Sequence, residues 1–183
     1  YDSARMVQLA WQLHDVSGKL LSQKNYIVKP DGFEIPYAVV QIHGISTERA
    51  LAEGHDIRFV LEEFELDLQK AGYNVGHNID FDINIVGSEY IRAGIENTLQ
   101  TKDKIDTKEV STEYCQLPGG RGGKFKWPTL TELHTKLFGK AFDSAHDAAY
   151  DVDATARCFF ALITKNVYVP REIIDYREVT YEA

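Results

Sequence analysis

Residues 73–82, Tyr73-Asn74-Val75-Gly76-His77-Asn78-Ile79-Asp80-Phe81-Asp82, decide the fold. Residues 73–76 read as a short strand. Phe81, Ile85, Val86, Tyr90 and Ile95 then recur at helical spacing, so a helix follows almost without a loop. In open α/β sheets, side chains at such strand-to-helix passages converge on a ligand crevice at the carboxyl ends of the strands. Asp82 falls in the first turn of this helix, a suitable place for a metal ligand. A plainer reading competes, because an aspartate there also complements the helix dipole, and Asp80 or Asn78 would serve as an N-cap.

A second segment has similar spelling: His146-Asp147-Ala148-Ala149-Tyr150-Asp151, followed by Thr155. Both segments join a histidine to an aspartate five residues on. Ser144-x-x-Asp147 is a capping-box pattern, so the last long helix is predicted to start at Ser144 and run to about Lys165, with His146 in its first turn. Asp151 follows about one and a half turns later and shares a face with Thr155. A histidine near neutral pKa takes a proton from water, and a carboxylate holds a hard cation such as Mg²⁺ or Mn²⁺. The alternative is an exposed histidine beside an acidic face made by Asp147, Asp151 and Asp153.

The remaining chain alternates strands and helices. Residues 6–14 and 20–28 form a β-hairpin around the turn Asp15-Val16-Ser17-Gly18. From Ile57 the residues Val60, Leu61, Phe64, Leu68 and Ala71 trace an amphipathic helix, with Gly72 as its C-cap. Ile105-Asp106-Thr107 reads as another short strand. Residues 117–128 form a glycine-rich loop without the Gly-Lys-Ser/Thr of a P-loop. Its Arg121, Lys124, Lys126 and Trp127 combine cations with a stacking ring that would hold a single strand; the competing reading is a surface loop with Trp127 packed inward. Thr129 caps a helix that buries Leu130, Leu133, Leu137 and Phe138 and stops at Gly139.

Composition narrows the function. The 183 residues suit one α/β domain, predicted over 1–167, with 168–183 as a tail or linker. Cys115 and Cys158 are too few for a disulfide framework or a cysteine zinc site, which fits a reducing, cytoplasmic setting. No apolar run reaches the roughly 18 residues of a membrane span. The 20 Lys+Arg against 28 Asp+Glu give a net charge of −8, which opposes broad binding to duplex DNA but leaves room for an enzyme that grips a few nucleotides around bound metal.

Together, His-Asn-x-x-Phe-Asp after a strand and His-x-Ala-x-x-Asp-x-x-x-Thr on a later helix resemble the DEDDh 3'→5' exonucleases of the ribonuclease H-like superfamily. The resemblance covers most of residues 5–165. It implies a three-layer α/β fold with a central mixed β-sheet flanked by helices. It further implies that Asp82 and Asp151 bind two Mg²⁺ (or Mn²⁺), and that His146 is the general base. Position 147 is Asp, which excludes the branch that uses a tyrosine there.

Ile42-His43-Gly44-Ile45-Ser46 is similar to the family's His-Gly-Ile loop, placing His43, with Asn78, at the substrate; its plain alternative is a helix-entry turn. The 3' end of single-stranded DNA or RNA is the implied substrate. Residues 5–11, this loop and Gly119-Gly120-Arg121-Gly122-Gly123 look closest to exonuclease domains joined to bacterial replicative polymerases, with DNA polymerase III subunits as partners and proofreading as the role.

The family's first motif, Asp-x-Glu on a central strand, does not occur in this sequence. Two divalent cations bring a charge of +4, which two aspartates do not balance. The expectation is therefore that the natural protein begins earlier, with that strand upstream of Met6. A silent module that binds a strand end or a polymerase is the alternative to an enzyme. A zinc hydrolase using His77 and His146 lacks the required ligand spacing.

Overall fold

The computed structural model describes residues 4–142 and 147–171. The hairpin forms as expected, with β1 (Gln8–His14) antiparallel to β2 (Leu20–Ile27) and Gln8 opposite Ile27. Its turn is set by Asp15, whose Oδ1 accepts from the backbone of Ser17 and Lys19, and by Gly18 at φ +89°. A side chain at position 18 would also meet the Phe160 ring at 3.2 Å.

Two seven-residue helices follow, α1 (Tyr37–His43) and α2 (Thr47–Glu53), each too short for a periodic signal. Helix α3 (Ile57–Leu68) ends before Gly72, which is therefore not its cap. Strand β3 (Tyr73–Gly76) leads into α4 (Ile79–Ala93), closed by Gly94 in the left-handed conformation. Strand β4 (Asp103–Asp106) stops one residue before the expected end, because Thr107 opens the short helix α5 (Thr107–Val110); α6 (Thr112–Cys115) follows. Helix α7 (Leu130–Phe138) has the full Thr129–Glu132 capping box and ends at Gly139 as predicted.

Helix α8 (Ala148–Thr164) is capped by Asp147, whose side chain accepts from the Ala149 N–H. This corrects the predicted start at Ser144, a residue that lies outside the described ones. A carboxylate one position before the helix satisfies an otherwise unpaired N–H directly.

The strands form two pairs, β1–β2 antiparallel and β3–β4 parallel, with Tyr73 opposite Asp103 and Gly76 opposite Asp106. The central mixed sheet is thus split, and among the described residues no strand is hydrogen-bonded between the pairs. Helix α8 packs against both β1 and β3. One core, with Val60, Leu61, Leu68, Val86 and Tyr90, lies under α3 and α4; a second, with Cys115, Leu133, Cys158 and Leu162, lies under α7 and α8. The result is the expected three-layer α/β arrangement. Phe81 and Phe138, predicted to be inside, are exposed, whereas Val167 and Tyr168 pack on the second core at the predicted start of the tail.

Asp67 fastens α3 to the hairpin. Its Oδ2 accepts from Trp11 Nε1 at 2.9 Å and from Ser22 Oγ at 2.6 Å. Burial alone would raise its pKa, but these bonds and the Lys70 ammonium outweigh burial and leave it lowered. A carboxylate held below its unfolded value stabilises the fold fully above about pH 4 and loses that contribution as pH falls through the folded value. Asp67→Asn should therefore cost about 1–3 kcal/mol in urea unfolding at pH 7, with the difference from the parent chain shrinking below about pH 4.

Candidate active site

The site grows from the end of β3. A side chain at Gly76 would approach Ile79 Cδ1 to 2.5 Å and Cβ to 3.2 Å, so glycine lets the strand turn tightly into α4 without displacing the buried Ile79. Asn78, the N-cap of α4, adopts a left-handed conformation at φ +69° and makes no side-chain cap of its own. The capping is done from β4. Asp106 Oδ1 accepts from Asn78 N at 3.0 Å and from Lys108 N at 3.0 Å, and its Oδ2 accepts from Ile79 N at 3.2 Å. Lys108 Nζ in turn donates to Asn78 Oδ1 at 2.8 Å and lies 4.0 Å from Asp106 Oδ2.

His77 is a staple. Its Nε2 donates to the Pro128 carbonyl at 2.8 Å and its Nδ1 meets Thr107 Oγ1 at 2.9 Å, joining the motif to the chain that enters α7. Burial lowers its pKa, so the ring is neutral. With both nitrogens engaged, it does not suit a zinc ligand.

Asp82 stands in the first turn of α4 and Asp151 in the first turn of α8. Asp82 keeps solvent access, yet enough protein surrounds its carboxyl to strip hydration. Desolvation first, then repulsion from Asp106 and Asp151, push its pKa up to about 6. The fold therefore brings the two predicted metal aspartates into mutual electrostatic range. Asp106 joins them as a charge but has its oxygens turned to backbone N–H groups. Asp153, by contrast, is drawn away into an ion pair with Arg157 at 2.9 Å. His146, the predicted base, lies outside the described residues.

His43 ends α1, where Gly44 caps the helix in the left-handed conformation. Its Nδ1 accepts from Ile45 N at 3.0 Å, which leaves the proton on Nε2. That Nε2 is buried and has no hydrogen-bond partner among the described residues. Burial lowers the pKa and keeps the ring neutral. His43 lines a cavity of about 220 Å³ with Gln8, Asn25, Arg49, His55 and Asp147, so the predicted substrate histidine and the cap of α8 border one space. A neutral donor without an acceptor is suited to an oxygen or ring nitrogen of a ligand.

The glycine-rich loop departs from expectation in two ways. Lys126 is taken up by Glu132 at 2.8 Å, while Arg121 and Lys124 are exposed at a 3₁₀ turn (Arg121–Gly123). Trp127 is 60% exposed rather than packed inward, with Lys108 Nζ 3.9 Å from its ring centroid. Sequence reading missed Asp106 and Lys108. The available signal was Asp106-x-x-Glu109, an acidic cap followed three residues later by glutamate at a strand end.

The exonuclease (RNase_T) family model matches residues 15–159. Comparison with curated proteins found no match. Among solved structures, E. coli exonuclease I with a dA16 oligonucleotide superposes at TM-score 0.69 and 21% identity, covering 86% of this chain and 36% of that one. Its complex with a dT13 oligonucleotide gives TM-score 0.72 and 21% identity over 94% of this chain and 39% of that one. The zinc-bound form of the E. coli ExoI–ssDNA complex gives 0.69 and 23%, covering 94% and 38%. This chain thus spans less than two fifths of those proteins, with which it shares the ribonuclease H-like exonuclease fold. The family match runs from the hairpin turn to Phe159 in α8 and takes in Asp82, Asp106 and Asp151 together: this chain belongs to the exonuclease family.

Proposed function

We propose that this domain is a metal-dependent 3'→5' exonuclease of DEDDh type that releases 5'-mononucleotides from single-stranded DNA ends. The observation that carries this is Asp82, whose carboxyl is desolvated by the surrounding protein and, to a lesser degree, repelled by Asp106 and Asp151, so that its pKa rises to about 6. A fold that gathers repelling carboxylates at a crevice is matched by a divalent cation, which relieves the repulsion. The oligonucleotides bound to the structural neighbours support a single strand as ligand.

Asp82 and Asp151 are the residues suited to hold the metal. Mg²⁺ or Mn²⁺ bound there would lower the pKa of a water and polarise the scissile phosphate. Among the described residues no group of three His, Cys, Asp or Glu side chains is poised for a metal, so this pair balances one divalent cation and the second needs further acidic groups. His146, carried by its motif, takes the proton from the attacking water. The buried His43 Nε2–H donates to the terminal nucleotide and orients it, and Asn78 holds the turn from which Asp82 projects.

Replication proofreading, as a domain of or partner to a DNA polymerase III subunit, is the finer role. It is supported by the spelling of residues 5–11, the His-Gly-Ile loop and the glycine-rich segment. Among the described residues no helix is long and apolar enough to cross a membrane. A second reading is a catalytically silent module that binds a strand end or a polymerase partner.

An assay of Mg²⁺- or Mn²⁺-dependent mononucleotide release from 3'-ended single strands separates the two. The enzyme reading expects release that falls at least about a hundredfold in Asp82→Asn and about 10²–10⁴-fold in His146→Ala. Binding without release by the full-length protein would establish the silent module.

Metal linkage gives an independent readout. A carboxylate whose folded pKa is raised from 3.8 to about 6 makes the metal-free fold lose stability as pH rises through that window. Asp82→Asn should therefore raise the melting temperature of the metal-free protein at pH 7 and 8. Mg²⁺ or Mn²⁺ should raise that of the unsubstituted chain, but not that of the variant.

A further inference from the structure

The geometry points to a base-stacking platform made by Trp127 seated on Lys108, where the bound strand lays a base beside the terminal nucleotide. This inference rests on the exonuclease reading above and extends it to residues outside the carboxylate motifs.

Trp127 is 60% exposed, although a tryptophan left in water forfeits a large apolar burial. One face of its ring is occupied by the Lys108 ammonium at 3.9 Å. Lys108 is itself fixed, with its side chain only 14% exposed, between Asn78 Oδ1 and the Asp106 carboxylate. The next residue, Pro128, accepts from His77. The ring is therefore tied through Lys108 and Pro128 to the turn that carries Asp82, while most of its surface stays exposed.

This arrangement suits a nucleobase. Every base has a π-face, so a ring tied to the turn that carries Asp82 holds a strand without reading its sequence. The exposed cations Arg121 and Lys124 on the same loop supply local positive charge in a chain of net charge −8, favouring a phosphate-linked ligand over an apolar peptide. Arg121 and Lys124 lie on the same loop and would meet the strand farther from its end.

Tryptophan emission offers a direct test. The only other tryptophan, Trp11, is 7% exposed and bonded to Asp67, so quenching by an added base reports on Trp127. An oligothymidylate titrated in EDTA, where no cleavage occurs, should quench emission of the unsubstituted chain but not that of Trp127→Phe. Affinity should fall about tenfold in Trp127→Ala and remain within about threefold in Trp127→Phe. An abasic site scanned inward from the 3' end should cost the unsubstituted chain a similar factor at one position and cost Trp127→Ala nothing there. Far-ultraviolet circular dichroism and melting temperature verify that each variant is folded. If the unsubstituted chain binds and trims strands while Trp127→Ala matches it in affinity and no quenching appears, the platform is wrong and the exonuclease reading stands. If the unsubstituted chain neither binds nor trims, both fall.

Discussion

The site depends on the grip of one buried carboxylate, Asp106, on the backbone of another segment. Three N–H groups from two chain segments point at it, and Lys108 stands beside it. A left-handed asparagine at a helix start is costly unless its surroundings impose it. Here the parallel pairing of β3 with β4 sets Gly76 opposite Asp106, and the carboxylate then captures the first N–H groups of α4. The direction of α4, and with it the position of Asp82, follows from that capture. Burial first and then the negative charge that builds the turn make the neighbouring Asp82 harder to ionise, so the carboxylate that positions it also adds to its electrostatic strain.

Much of this was legible in the sequence. Strands β1 and β2, the passage from β3 into α4, and the Thr129 cap each have a local physical cause: alternation, a turn residue or a capping pair. Short helices α1 and α2 were missed because seven residues carry too little periodicity. The start of α8 was set too early because Ser144 offered a capping pattern and Asp147 a better one. The split of the strands into two pairs has no local signal, since pairing joins residues remote in sequence.

The site was legible in part for the same reason. Asp82 and Asp151 stand out by spacing, and the structure brings them within electrostatic reach. Asp106 and Lys108 act through bonds to residues about thirty positions earlier, which no local pattern encodes. Trp127 could be read as buried or exposed until the partner beneath its ring was known. His43 was singled out by its motif, but its tautomer comes from one backbone bond to Ile45.

Helix α8 touches both strand pairs and carries Asp151, whereas α4, which rests most directly on the β3–β4 pair, carries Asp82. Any relative shift of the two pairs therefore changes the separation of the aspartates, and their repulsion acts back on the pairs as a force. The helix is in effect a lever arm between the charge state of the crevice and the spacing of the framework.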